Sequence, residues 1–185
     1  MKPLIKEING KSPQFGKECY ISENATIIGD IECGDRCSFW FNSVTRGDVH
    51  FIKIGNEVNV QDGAIIHCTY KKSPTTIGNQ VTIGHNAIIH GCTIKDRVLI
   101  GMGAIVLDNC IIESDSIIAA GAVITMGTHV KSGEIYAGVP GKKVKEGVSL
   151  NSNIHDSVKY SKDLFLGDFS VCERNSIIGN NVKIS

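Results

Sequence analysis

The sequence predicts an all-β fold, a prism of short parallel strands wound into three-sided coils, and three observations predict it. An aliphatic residue returns every six positions from Ile54 onward. Small residues recur four places after these anchors, and glycine often follows an anchor directly. Composition agrees: with 20 Gly and only 6% aromatics, the chain has no large rings to fill a core and needs repeated β-branched layers.

The beat begins with Ile54, Val60 and Ile66, and after an interruption resumes at Ile77, Ile83 and Ile89. It continues through Ile94, Ile100, Val106, Ile112, Ile118 and Ile124. Ala64, Ala87, Ala104, Cys110, Ser116 and Ala122 are the small residues, and Gly55, Gly78, Gly84 and Gly101 follow anchors. Upstream the same beat runs through Ile31, Cys37, Ser43 and Val49. A period of six fits neither a helix face nor a simple alternating strand. It fits short strands joined by tight corners, with anchor and small residue pointing inward. Three units bring the chain back to its starting side, one strand spacing along, so that each coil buries its neighbour's Ile/Val layer.

After Ile124 the beat fades through 128–138. Beyond Asn151-Ser-Asn153, which are helix-capping residue types, Ile154, Val158, Leu164 and Phe165 follow helical spacing. This predicts a C-terminal α-helix over 154–168, giving a β-helix domain at 1–150 and a helix and tail at 151–185 packed on the prism. Residues 176–185 look like a detached repeat unit.

Charge is balanced, with 19 basic and 19 acidic residues, which argues against nucleic acid or an anionic membrane as partner. No apolar run reaches the roughly 20 residues of a membrane span, and the N-terminus lacks the apolar core of a secretory signal. A cytoplasmic location is the expectation. Seven cysteines, an odd number with no CxxC pair, favour reduced thiols over a disulfide framework.

Grouping the anchors in threes puts Ile66 and Ile89 on the same side in successive coils. His67 and His90 follow them directly and therefore stack, on strands about 4.8 Å apart. Two such imidazoles can share one metal at about 2.1 Å each. His85, two residues after Ile83, is separated from His90 by roughly 16 Å of extended chain, too far to close on the same ion within one subunit. A second copy of the chain could supply it, and a threefold assembly would hold one such site at each interface. Three imidazoles with an open position are the pattern of a catalytic zinc site. Asp62, two places after Val60, stacks under His85, with Gln61 beside it. Arg46 and Asp48 are expected one coil earlier near that corner, as an ion pair that ties subunits together. Gln61 is the better candidate for orienting a metal-held hydroxide or the substrate.

Units such as Ile-Gly-Asn-Gln-Val-Thr and Ile-Gly-His-Asn-Ala-Ile resemble the hexapeptide repeats of left-handed parallel β-helix proteins. The left hand is implied by that resemblance, as an exception to the usual right-handed crossover. More specifically, Asn42-Ser-Val-Thr-Arg-Gly-Asp48, Asn59-Val-Gln-Asp-Gly63, Ile66-His67 and Gly84-His-Asn-Ala-Ile-Ile-His-Gly91 resemble the γ-class carbonic anhydrases and their bacterial homologues. The segment from Ala137 to Val144 resembles the closing coil of the superfamily. The resemblance implies a homotrimer with zinc, or iron or cobalt, between subunits, and reversible hydration of carbon dioxide to bicarbonate. It implies His67, His85 and His90 as metal ligands, and Arg46, Asp48 and Asp62 as interface ion-pair residues. Gln61, Asn59 of the same stretch, and Tyr160 are the catalytic candidates it carries across. Prototype members move the proton with glutamates, which this chain lacks: Val49 follows Asp48, and the loop at 69–76 is short and basic. His50 or Tyr70 are the available substitutes, so the resemblance implies the scaffold and the metal more firmly than rapid turnover.

Two other functions compete. A hexapeptide acyltransferase using acyl-coenzyme A shares the repeat and the Gly-Val-Pro-Gly-Lys motif, but needs one histidine base rather than a ligand trio; a metal-assisted thioesterase is a variant. A non-catalytic trimeric metal-binding scaffold is the third reading.

Overall fold

The computed structural model describes residues 2–145 and, beyond them, four two-residue strands. It divides into two compact units, Met1–Val148 and Ser149–Ser185.

The first unit is a triangular parallel β-helix. One side stacks Thr26–Cys33 at its start, Val44–Ile54, Ile65–His67, Ile88–His90, Ile105–Val106 and Val123–Ile124. A second side runs from Tyr20–Ile21 through Asn59–Val60, Thr82–Ile83 and Leu99–Ile100 to Ile135–Ala137. The third carries Gln14–Phe15, Thr75–Ile77, Thr93–Ile94, Ile111–Ile112 and His129–Val130, and the later halves of the two long strands complete it. The anchors point inward: Ile66, Ile83, Ile89, Ile100, Ile112, Ile118 and Ile124 are all fully buried. Val130 and Tyr136 extend the ladder one coil past Ile112 and Ile118, so the beat that seemed to fade after Ile124 continues. At the end the chain reverses, and Lys142–Lys145 pairs antiparallel with Ile135–Ala137.

Each corner costs a residue in the left-handed backbone region. Along one edge these are Glu18, Arg36, Glu57, Gln80, Arg97 and Asp115, with φ between 54° and 64°. Their side chains tie the coils together, Arg36 to Glu57 and Arg97 to Asp115. Beside them the carbonyl oxygens of Asn56 and Asn79 and the carboxylate of Asp96 accept peptide N–H groups from the coil before. Gly55 permits this close stacking, because a Cβ there would meet the Asn79 side chain and the Gly78 carbonyl.

The upstream beat needs a correction of two residues. Cys33, Phe39 and Thr45, not Ile31, Cys37 and Ser43, lie under Ile54, Val60 and Ile66. Strand side chains alternate, so residues two apart face the same way, and Ile31 and Cys33 are both buried. The six-residue beat can therefore be read on either. The 11-residue strand Val44–Ile54 removes one corner, and its register shift opposite Gly29/Ile31 hides the change.

In the second unit, Asn153–Ile154 pairs in parallel with Val171–Cys172, and Phe165–Leu166 with Lys183–Ile184. Both pairings join residues 18 apart, the length of three hexapeptides. Where the predicted helix over 154–168 is described, at Ile154 and at Phe165–Leu166, it is strand. Residues 155–164 lie outside the described residues, as does Tyr160.

Candidate metal centre

His67 and His90 are direct ladder partners on consecutive rungs. Each follows a fully buried isoleucine, Ile66 or Ile89, and alternation turns its ring outward. Nδ1 of His67 lies 3.1 Å from Nε2 of His90. Each ring is also held from its other side. Nε2 of His67 stands 3.2 Å from Oδ1 of Asp48, and Nδ1 of His90 stands 3.1 Å from Oδ2 of Asp108.

Carboxylates accept hydrogen bonds, so these contacts assign the protons: His67 carries its hydrogen on Nε2 and His90 on Nδ1. The two nitrogens that face each other are then both lone pairs. Facing lone pairs repel unless a cation lies near them. The guanidinium of Arg46, 3.5 Å from Nδ1 of His67, meets that need in part. Two nitrogens bound tetrahedrally at about 2.1 Å to one ion stand about 3.4 Å apart. The observed separation fits such an ion.

Electrostatics favour the ligand form of His67. Burial pushes the pKa of His67 down, against the raising effect of Asp48, and favours the neutral ring that binds metals. Burial works against ionising Asp48, yet Arg46 and His67 hold its carboxyl below the usual range. For Asp108 burial again opposes, and the Thr69 hydroxyl and His90 prevail.

His85 occupies another side of the prism. Its Nδ1 lies 3.0 Å from Oδ2 of Asp62, so Nε2 is its unprotonated nitrogen. Asp62 and His85 are stacked, with the Asp62 carbonyl accepting the N–H of Asn86. His85 and Gln61 line a cavity of about 470 Å³ with Leu99, Met102 and Ile117, a lining that includes neither His67 nor His90. Among the described residues, three ligand side chains gather within 4.8 Å of one another only at a separate cysteine cluster. Within the chain His67 and His90 meet, and His85 does not join them.

Arg46 is not at the His85 corner, as the spacing had suggested. Thr45 pairs with Ile66, which puts Arg46 on the rung below His67, where it bonds Asp48 at 2.7 Å. Asn59 is engaged structurally: its Oδ1 accepts from Ser38 Oγ and Trp40 Nε1, each at 2.9 Å. Sequence reasoning missed Asp108 and Thr69. Asp108 follows His90 by 18 residues, one full coil, and that spacing was the available signal.

The outer surface beside the histidine pair is apolar. Val44, Ile65, Ile88, Ile105 and Val123 form one outward column along the same strands. Among the described residues, no helix is long and apolar enough to cross a membrane.

Comparison with known proteins identifies the family of the chain. The family described as Bacterial transferase hexapeptide (six repeats) matches residues 91–125. "Gamma carbonic anhydrase 1, mitochondrial" of Arabidopsis thaliana is 39% identical over 147 residues, covering 77% of this chain and 54% of the relative. The chain thus spans about half the length of that plant protein. "Probable carbonic anhydrase" of Methanocaldococcus jannaschii is 45% identical over 132 residues, 71% of this chain and 82% of the relative. A crystal structure of a hexapeptide transferase family protein from Anaplasma phagocytophilum superposes with a TM-score of 0.75 at 40% identity. It covers 78% of this chain and 85% of that one. With these relatives the prism is a left-handed parallel β-helix, and the chain belongs to the γ-carbonic-anhydrase-like family of hexapeptide-repeat proteins.

Proposed function

We propose that this protein is a metal-dependent carbon dioxide hydratase that works as a homotrimer, with zinc, iron or cobalt at each subunit contact. One observation carries the reading. Three aspartates, Asp48, Asp62 and Asp108, each fix the tautomer of one histidine and leave a lone pair free on His67, His85 and His90. Metal-binding histidines characteristically give their second nitrogen to such an acceptor. His67 and His90 would bind from one subunit and His85 from its neighbour. The outward column of Ile65, Ile88 and Ile105 supports that assembly, because an exposed apolar strip beside a site favours burial against a partner.

An ion held by these histidines would supply Lewis-acid activation of water near neutral pH. The chain's own residues do the rest. Gln61, on the wall shared with His85, offers an amide that donates and accepts without titrating, and it orients a substrate oxygen. Arg46 keeps Asp48 ionised, and Asp48 keeps His67 in its ligand tautomer. The released proton leaves through His50 or Tyr70. The loop carrying Tyr70 folds back so that Lys71 N–H reaches the Val49 carbonyl, next to His50. Asn59, bound to Ser38 and Trp40, serves the wall rather than the reaction, and Tyr160 completes the carried-over set.

The test is carbon dioxide hydration by metal-loaded protein, followed by stopped flow with a pH indicator. Hydration should vanish on chelation and in His67→Ala, and return when metal is restored to the wild type. Stoichiometric metal without hydration would leave a non-catalytic scaffold, and metal-free protein consuming an acyl-coenzyme A would identify an acyltransferase.

A further inference from the structure

Two inward columns of the prism change chemistry at one corner. In the column Phe15, Cys33, Ile54, Ile77, Ile94, Ile112 and Val130, cysteine replaces the branched aliphatic residue one rung below Ile54. In the adjoining column Cys19 and Cys37 precede Val58, Val81 and Val98, as the rung-to-rung bonds from Tyr20, Ser38, Asn59 and Thr82 show. The turn through Gly34, Asp35 and Arg36 folds Cys37 back toward Cys33, and Cys19 sits one coil below. The three sulfurs lie within 4.8 Å of one another. Cys33 and Cys37 are buried, whereas Cys19 is partly exposed and opens the cluster to solvent.

We propose that Cys19, Cys33 and Cys37 form a three-thiolate site for a soft, closed-shell cation of the Cu(I) or Cd(II) class, separate from the histidine centre. Three sulfurs bound at about 2.3 Å to one ion stand about 4 Å apart, which is compatible with a spacing bounded by 4.8 Å. The side-chain donors are all sulfur, and they now give their S–H groups to the peptide carbonyls of Gly34 and Gly55; a sulfur donor set selects thiophilic ions over Mg(II) or Ca(II), which prefer oxygen. The other stacked pair, Cys92 and Cys110, provides the contrast. There burial pushes both thiols up, as expected of cysteines that serve as small core residues. At the trio the Cys33 thiol holds Cys37 down to about 7, while Cys37 and burial push Cys33 itself far up, so one thiolate of the three is available near neutral pH. Ion binding then displaces the remaining protons.

The experiment titrates the reduced full chain with Cd(II) under anaerobic conditions and follows the ultraviolet thiolate-to-cadmium charge-transfer band. Histidine ligands give no such band, so the reading is independent of the metal centre above. The band should saturate at one ion per chain and persist in His67→Ala and in Cys110→Ala. It should disappear in Cys19→Ser, whose partly exposed position tolerates the change, and native circular dichroism must confirm that this variant is folded. In the His67→Ala background, Cd(II) should also raise the Tm, and it should not do so when Cys19→Ser is added. Absence of the band at excess Cd(II), or an undiminished band in folded Cys19→Ser, overturns the proposal.

Discussion

The carboxylate of Asp108 stands 3.1 Å from Nδ1 of His90, one coil further along the prism, and a glycine makes room for it. Gly91 has φ of 57°, and a Cβ at that position would collide with Oδ1 of Asp108. Thr69 holds the same carboxylate through its hydroxyl. The Nδ1–H tautomer of His90 therefore depends on three residues, Asp108, Thr69 and Gly91.

Asp108→Asn should weaken metal binding by about 10- to 100-fold, since second-layer acceptors contribute on that scale. Gly91→Ala should produce a comparable loss by pushing Asp108 aside. Competitive titration against a chromophoric chelator measures both, and affinities equal to wild type would remove Asp108 from the site.

Separate expression of His67→Ala and His85→Ala should yield two proteins that each lack metal. After subunit exchange, mixed trimers should regain part of the metal content, because an interface with intact His67 and His90 on one side can meet an intact His85 on the other. Elemental analysis of the mixture, compared with each parent, decides whether the ligands come from different subunits.

Ile88→Asp places a charge in the outward apolar column without touching a ligand. Sedimentation should show dissociation into smaller species, together with loss of metal. A variant that stays assembled and fully loaded would move the subunit contact to another face.

Glu134 is a buried carboxylate whose Oε2 accepts the N–H of Lys131 and whose Oε1 pairs with Lys143. Burial opposes its ionisation, but these contacts hold its pKa below the ordinary 4.5. A depressed carboxylate stabilises the fold fully above its unfolded pKa and loses that contribution as pH falls through the folded value. Glu134→Gln should therefore be less stable than wild type at neutral pH. The gap should close as urea midpoints are taken at progressively lower pH through the carboxylate range.

The repeat was legible because it is local. Ile83, Ile89, Ile94 and Ile100 announce strands and corners through their spacing alone, and His67 and His90 inherit a shared register from Ile66 and Ile89. Where the chain departs from strict sixfold spacing, legibility ends. Counting Ser43, Val49 and Ile54 as successive units put a corner inside the single strand Val44–Ile54 and so placed Arg46 at the wrong corner. The helical reading of 154–168 met the same limit: Ile154 and Leu166 also lie on a six-residue beat, and pattern alone could not choose between the two periods.

From its own sequence this protein determined the period, the inward columns and the stacking of two histidines, because each follows from counting residues between corners. Only the tertiary structure decided which groups meet across coils at variable spacing: Arg46 under His67, Asp108 against His90, and Cys19 beside Cys33 and Cys37. Ring tautomers and thiol clusters arise from contacts a few ångströms long between rungs. A shift of one or two residues in register creates or abolishes them without disturbing the aliphatic beat that builds the prism.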